Sequence, residues 1–249
     1  YKENADKSIG IDIMKGENFD APQKPFGGDE DYIWSPDSKS ILYVCKKKAG
    51  TAYAISTNTD IYEYHLETGI TENRTEGNLG YDTAPTFSPT GNLTWLQMKR
   101  DGYEADKNDI VVSFKGTNIN LTANWDGSIE SFIWSKDGKK VYFQAPVDGT
   151  LQLFVVDFPG LTKKMPQVVQ VTNGDFDVSG LVGIVGDKIF VTKSDMNHAA
   201  ELYSYDLKKK VWNQLSNVNT ATYSSLALSK TERRYVTTTD GKKMLVWVI

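Results

Sequence analysis

Trp34-Ser-Pro-Asp-Ser-Lys39 closes one aromatic-led segment and opens the next. The same phrase returns as Phe87-Ser-Pro-Thr-Gly-Asn92 and Trp134-Ser-Lys-Asp-Gly-Lys139. Ser, Pro, Asp and Gly favour a tight turn at these places, each through its own backbone preference. From Trp34 to Phe87 is 53 residues, and from Phe87 to Trp134 is 47. A second register gives the same period. Ile61-Tyr-Glu-Tyr-His-Leu66 matches Leu202-Tyr-Ser-Tyr-Asp-Leu207 with both tyrosines identical, 141 residues further on, or three times 47. Weaker members are Gly186-Asp-Lys-Ile-Phe-Val191 and Ser229-Lys-Thr-Glu-Arg-Arg-Tyr235. Self-similarity of this length marks a repeat architecture.

Each repeat has one grammar. After the turn comes a short apolar run, Ile41-Leu-Tyr-Val-Cys45 or Val141-Tyr-Phe143, continuous because both faces are buried. A third strand alternates, as in Leu151-Gln-Leu-Phe-Val-Val156. A polar turn (Glu67-Thr-Gly69, Lys115-Gly-Thr117 or Lys208-Lys-Lys210) leads into a weaker fourth strand, and helical periodicity is absent. Four short antiparallel strands recurring every ~40–50 residues describe a β-propeller blade. The expected fold is therefore all-β: a β-propeller of four-stranded antiparallel blades, with about four to five present, either as part of a larger propeller or as a five-bladed ring closed by joining the strands of 8–19 to those of 221–249. The blades read as about 25–76, 77–122, 123–172 and 173–216. Residues 8–19 read as outer strands of an earlier blade, and 221–228 as a further strand. Residues 229–249 read as closing strands or as an entry hairpin into a further domain, with the hairpin itself running from Arg234 to Ile249 and turning at Asp240-Gly241.

In a blade with strands a to d, the b–c loops share one face with the d–a connections. Here the b–c loops vary: Lys46–Thr59, Lys99–Asp109, Pro146–Thr150 and Lys193–Ala199. Variable loops on a rigid scaffold are where binding residues usually sit.

Composition narrows the function. A chain of 249 residues is one large domain or two small ones, long enough for a sizeable core. An aromatic content of 12% excludes disordered, collagen-like and coiled-coil classes. A net charge of −4 with no Lys/Arg block gives no electrostatic footprint for nucleic acid. One cysteine excludes an internal disulfide framework and a Cys-based zinc site, and Cys45 reads as an inert buried thiol. No apolar run approaches the ~18 residues of a membrane span. Tyr1 opens no signal-peptide pattern. The chain stops on the apolar strand Met244-Leu-Val-Trp-Val-Ile249, an unprotected edge, and so reads as a segment of a longer protein.

Catalytic motifs are missing. No two glycines stand four residues apart, which excludes the Gly-x-Ser-x-Gly nucleophile elbow. There is no Walker loop, no dinucleotide fingerprint and no metal-ligand spacing, so no cofactor is expected. His65 reads as a packed or solvent-facing strand side chain and His198 as a solvated loop side chain. The sequence points to no catalytic machinery in this chain.

The Trp/Phe-Ser-Pro repeats resemble the propeller units of prolyl oligopeptidase-family serine peptidases and also those of the periplasmic Tol-system propeller. Two segments are more specific. Met98-Lys-Arg-Asp-Gly-Tyr-Glu-Ala-Asp-Lys107 is similar to a stretch of the bacterial dipeptidyl-peptidase and acylaminoacyl-peptidase branch. Glu232-Arg-Arg-Tyr-Val-Thr-Thr-Thr-Asp-Gly-Lys-Lys-Met-Leu-Val-Trp-Val-Ile249 resembles the strands leading into that family's α/β-hydrolase domain. The resemblance implies a non-catalytic propeller that gates and selects short peptides, with the Ser-Asp-His triad in a C-terminal hydrolase domain of the same parent chain. It also implies an extracytoplasmic location, periplasmic or secreted. The alternative is a non-enzymatic periplasmic propeller scaffold for other proteins. One departure stands out: the dipeptidyl peptidase IV subfamily grips the substrate amino terminus with a Glu-Glu pair, and no two glutamates are adjacent here.

An exopeptidase must hold a charged α-amino group away from water, and a fixed carboxylate offsets that desolvation. The b–c loop 99–109 carries Arg100, Tyr103, Glu104 and Asp106 on the expected binding face. Glu104 is the expected anchor and Asp106 the second choice, with Tyr103 walling the first side-chain pocket. The alternative is an ordinary turn at Arg100-Asp-Gly102, with Glu104, Asp106 and Lys107 solvated or paired with one another.

Overall fold

Strands make up nearly all the regular structure of the described residues (10–23, 27–162 and 164–249) in the computed structural model. They group into four-stranded antiparallel sheets and one two-stranded sheet, with chain neighbours paired. This is the all-β architecture of propeller blades. Contacts divide the chain into two compact units, Tyr1–Thr86 with Met98–Asp106, and Phe87–Gln97 with Lys107–Ile249.

In the first unit, β1 (Tyr32–Trp34), β2 (Ser40–Cys45), β3 (Asp60–His65) and β4 (Thr71–Asn73) pair in order, with Val44 opposite Ile61 and Ile41 opposite Tyr64. A single helical turn, α1 (Thr51–Ile55), lies between β2 and β3, and β5 (Asp82–Phe87) follows β4. In the second unit, β6 (Leu93–Gln97), β7 (Asp109–Phe114) and β8 (Thr117–Asn120) pair in order. The next sheet comprises β9 (Ser131–Trp134), β10 (Lys140–Val147), β11 (Thr150–Asp157) and β12 (Val169–Gln170). The sheet after it comprises β13 (Asp177–Val185), β14 (Lys188–Asp195), β15 (His198–Asp206) and β16 (Val211–Gln214). After the helical turn α2 (Thr220–Tyr223), β17 (Glu232–Thr237) and β18 (Lys243–Val248) form a hairpin.

The repeated turn phrase acts through one hydrogen-bond pattern. Ser35 N–H donates to Ser40 O (2.9 Å), Ser38 N–H returns to Ser35 O (2.9 Å), and the Ser35 hydroxyl donates to Asp37 (2.7 Å). The pattern recurs at Ser135 with Asp137. At Ser88 the partner is Thr90, and Thr238 with Asp240 closes the last hairpin in the same way.

A second hydroxyl closes the opposite end of each sheet. Thr75 Oγ1 accepts Ile61 N–H (3.0 Å) and donates to Asp60 Oδ1 (3.2 Å). Thr122 does the same for Ile110 and Asp109 (3.1 and 2.7 Å), and Thr172 for Leu153 and Gln152 (2.9 and 2.8 Å). Ser216 accepts Leu202 N–H and donates to Glu201. Each hydroxyl just past the fourth strand thus holds an N–H of the third, at its start in β3 and β7 and further along in β11 and β15.

Burial follows the same logic. The middle strands β2, β6, β7 and β10 are buried on both faces, while β12 and β16 are mostly exposed. In the second unit Phe143 stacks on Phe154 (centroids 5.7 Å apart), with Trp125 edge-on at 5.4 Å. In the first unit Tyr43 stacks on Tyr62 at 5.8 Å over Cys45, and Ile13, Met14 and Phe19 cover them. Burial raises the Cys45 thiol pKa to about 11, so it is not a thiolate near neutral pH.

Several expectations change. Residues 8, 9, 25, 26 and 163 lie outside the described residues, so the strand read over 8–19 is described only from residue 10. There the chain is a loop turning at 13–16, because Asp12 accepts Met14 N–H (3.0 Å) and Gly16 sits at φ +88. The segment 221–228 contains part of α2 and no strand. Two of the four b–c loops, read as 146–150 and 193–199, shorten to the two-residue hairpin turns 148–149 and 196–197. Asp148 and Gly149 both adopt positive φ, the requirement of a two-residue hairpin turn. The final strand, whose six successive apolar residues suggest burial against a sheet other than the blades, is half-buried at Leu245 to Trp247 and exposed at Met244 and Ile249. Trp247 lies against Gly149, where a Cβ would come within 3.0 Å of the indole nitrogen.

Phe143 is fully buried in the aromatic stack. Phe143→Ala is expected to cost about 3–5 kcal/mol through lost transfer energy and the cavity left behind. The shift in urea midpoint at constant m-value measures it, and a loss under about 1 kcal/mol would show that the stack is not a core element.

Candidate functional site

The long b–c loops of the first unit are held by polar side chains. Lys46, the first residue after β2, turns inward and is 7% exposed. Its ammonium donates to the carbonyls of Tyr53 (3.2 Å) and Ser56 (2.9 Å), the last carbonyls of α1, and lies 4.5 Å from the Tyr53 ring centre. A cation at a helix C-terminus satisfies carbonyls that have no partner within the helix. Burial lowers the Lys46 pKa, opposed by the negative charges of Glu104 and Asp101.

The segment 98–106 docks on this loop. Asp101 Oδ1 accepts the Ser56 hydroxyl (2.7 Å) and Thr57 N–H (2.8 Å). Thr57 Oγ1 donates to Arg100 O (3.2 Å) and accepts Gly102 N–H (2.9 Å). Gly102 has φ +78, a conformation open to glycine that would strain other residues. The start of the segment is held by Met98, whose N–H donates to Tyr81 O (2.8 Å) and whose carbonyl accepts Asn78 Nδ2–H (2.9 Å).

The four residues expected from sequence take two different states. Arg100 and Asp106 form a multiply bonded clamp: Arg100 Nε–H reaches both carboxylate oxygens (2.9 and 3.0 Å), and Arg100 N–H adds a bond of 3.0 Å. The guanidinium lies 4.0 Å over the Tyr103 ring. Asp106 and Tyr103 are therefore engaged inside the loop. Glu104 is exposed and forms no hydrogen bond or ion pair among the described residues. Its charge acts on Lys46 and on Tyr81. The Tyr81 phenol is raised by burial first and by Glu104 second, against a hydrogen bond from Gln23. Of the three carboxylates on this segment, Asp101 and Asp106 are committed to the loop and Glu104 is free.

Lys46, Asp101, Tyr81 and Gln23 were not singled out from sequence. Lys46 has one sequence signal, a lysine directly after a run otherwise buried on both faces. The other three have none, because their roles depend on contacts distant in the chain.

A second cluster lies in the other unit, where β14, β15 and α2 line an open cleft of about 460 Å³. His198, expected to be solvated, has its Nδ1 at 2.8 and 3.0 Å from the two Asp195 oxygens and meets the Tyr223 ring edge-on. Burial pushes the Asp195 pKa upward, but Asn197 N–H and His198 outweigh it and hold the carboxyl low. Glu201 accepts the Ser216 hydroxyl and two bonds from Asn219 (3.1 and 3.2 Å). Lys193 lies over the rings of Phe176 and Tyr203 at 4.7 and 4.8 Å. The carboxylates here are committed internally, so the first unit holds the better candidate. His65 makes a contact of 3.0 Å with the Ser40 hydroxyl. Among the described residues no group of three or more His, Cys, Asp or Glu could hold a metal ion, and no helix is long and apolar enough to cross a membrane.

No family profile matches the chain. It is 37% identical over 247 residues to dipeptidyl-peptidase 5 of Porphyromonas gingivalis, covering 97% of this chain and 35% of that one. It is 40% identical over 243 residues to dipeptidyl-peptidase 5 of Porphyromonas endodontalis, covering 96% of this chain and 34% of that one. The chain thus spans about a third of the length of these relatives. Among solved structures, the acylaminoacyl peptidase of Pyrococcus horikoshii superposes with a TM-score of 0.62 at 17% identity, over 87% of this chain and 31% of that one. At that identity the likeness concerns the fold.

The docking of segment 98–106 should depend on pH with a definite sign. The Ser56 hydroxyl and Thr57 N–H hold the Asp101 carboxyl below its ordinary value, against partial desolvation. The tie is therefore complete above the ordinary aspartate pKa of ~3.9 and is lost as pH falls through the lowered folded-state value. The Thr57 amide resonance should titrate with a midpoint below ~3.9, and Asp101→Asn should abolish that step. A midpoint at or above the ordinary value would contradict the assignment.

Proposed function

From its resemblance to the β-propeller domain of prolyl oligopeptidase-family serine peptidases, we propose that this chain is the non-catalytic, substrate-selecting portion of a longer serine-type dipeptidyl or oligopeptidase. The carrying observation is the 37% identity to a dipeptidyl-peptidase 5 over 97% of the chain. The substrates are short peptides, and a C-terminal α/β-hydrolase domain of the parent supplies the serine nucleophile. The proposal includes an extracytoplasmic location, on the strength of that resemblance. Covalent labelling tests the division of labour: a fluorophosphonate should label the full-length protein and leave the 249-residue chain unlabelled. Labelling of the chain alone overturns it.

Within this reading Glu104 is the anchor for the substrate's α-ammonium. It is the free carboxylate of a loop whose other acidic groups are engaged. Arg100 holds Asp106 and braces Tyr103, so the clamp sets the loop's shape while Glu104 stays available. Removing one partner of a desolvated charge pair costs ~2–5 kcal/mol, against ~0–1 kcal/mol for a surface pair. At ~1.4 kcal/mol per decade, Glu104→Gln in the full-length enzyme should lower kcat/KM on a free-amino dipeptide substrate at least tenfold. The N-acylated counterpart should be unaffected. A loss under about threefold on the free-amino substrate removes Glu104 as the anchor.

A further inference from the structure

The connections of the second unit divide by charge according to the end of the sheets on which they lie. At one end, the β9–β10 turn carries Lys136 and Lys139, the β11–β12 connection Lys164, and the β15–β16 turn Lys208, Lys209 and Lys210. Lys140 and Lys188 open the strands that leave this end, and Lys115 stands on the β7–β8 turn. All these lysines are exposed. The connections at the other end, before β9 and between β10 and β11, β12 and β13, and β14 and β15, hold Asp126, Glu130, Asp148 and Asp175 and no lysine or arginine. A chain of net charge −4 thus carries a basic end in this unit.

The turns of the basic end are joined by packing. Phe114 meets Phe158 edge-on at 5.2 Å, Phe158 meets Trp134 at 5.5 Å, and Phe158 N–H donates to Lys139 O (2.8 Å). Tyr142, Tyr205, Leu207 and Lys210 line one groove between the next two sheets. The acidic groups here are used locally. Asp137 accepts the Ser135 hydroxyl and Lys139 N–H, and Asp206 accepts the N–H groups of Lys208 and Lys209. Asp157 and Asp187 pair with Lys140 and Lys208. Lys136, Lys139, Lys188, Lys209 and Lys210 have no ion pair among the described residues.

Aliphatic side chains stand among these lysines. The last rung of the β13–β16 sheet sets Val185, Lys188, Asp206 and Val211 side by side, and Val185 and Val211 are 71 and 57% exposed. Leu161, in the β11–β12 connection, is exposed as well. A soluble polyanion gains nothing from exposed valines. A bilayer surface takes both kinds of group, ammonium at its phosphates and aliphatic side chains at the boundary of headgroup and acyl chain. We infer that this end of the second unit docks on an anionic lipid bilayer. The inference goes beyond the peptidase reading and does not depend on it.

The experiment mixes the full-length protein with phosphatidylcholine vesicles, with and without phosphatidylglycerol, and reads the bound fraction by sedimentation. The protein should bind the phosphatidylglycerol vesicles and leave the others free. Binding should fall as salt rises from ~0.1 to ~1 M, which shortens the screening length from ~10 to ~3 Å. At roughly fivefold per lysine, Lys188→Gln/Lys209→Gln/Lys210→Gln should weaken binding on the order of a hundredfold. Lys15→Gln/Lys48→Gln/Lys230→Gln removes the same charge from other places and should bind like wild type. Val185→Ser/Val211→Ser should weaken binding by about threefold or more. Equal binding to both vesicle types overturns the inference, as does a Lys188/Lys209/Lys210 variant within about threefold of wild type. Unchanged vesicle binding in the valine variant overturns it too, and leaves a soluble polyanion as the partner of this face.

Discussion

Each four-stranded sheet depends on one contact, a hydroxyl past the fourth strand that satisfies an N–H of the third. A fourth strand shorter than the third leaves that N–H without a ladder partner, and burial forbids leaving it so. Thr75, Thr122, Thr172 and Ser216 each accept that N–H and donate to the residue just before it, Asp60, Asp109, Gln152 or Glu201. The threonines are 3, 1 and 3% exposed, so water does not compete. Because the hydroxyl acts on the third strand itself, the preceding loop can change length without shifting that strand's register on the fourth.

That freedom shows in the loops. Where β10 meets β11 the connection shrinks to two residues, and where β2 meets β3 it carries a helical turn. A loop as long as 46–59 needs its own fixings. It gets them from the buried Lys46 and from the carboxylate of Asp101, 55 residues later in sequence. Engaging Asp101 and Asp106 in loop structure leaves Glu104 as the carboxylate of this segment without a bonded partner among the described residues.

The last hairpin shows the limits of local chemistry. Thr238, Asp240 and Gly241 reproduce the blade turn, yet the strands that follow are half-exposed. Arg233 pairs with Asp175 at 2.7 Å and lies over Trp247, so a polar contact and one indole hold much of what the sequence alone marks as a core strand. Alternation and apolar content describe what a strand can bury, and its partners decide what it does bury.

Sequence by itself determined the period, the strand order within each repeat and the tight turns, because those depend on residues within a few positions of one another. Trp34-Ser-Pro-Asp-Ser-Lys39 needs only its own hydroxyl and carboxylate to turn. It also singled out four side chains of the segment 98–107, Arg100, Tyr103, Glu104 and Asp106, as candidates. The hydroxyl closures were legible in principle, since Leu121-Thr122, Val171-Thr172 and Leu215-Ser216 recur near the repeat length. Only the tertiary structure decided which of the four side chains is free. Arg100 claims Asp106 and Tyr103 through space, while Glu104 acts on Tyr81 and Lys46.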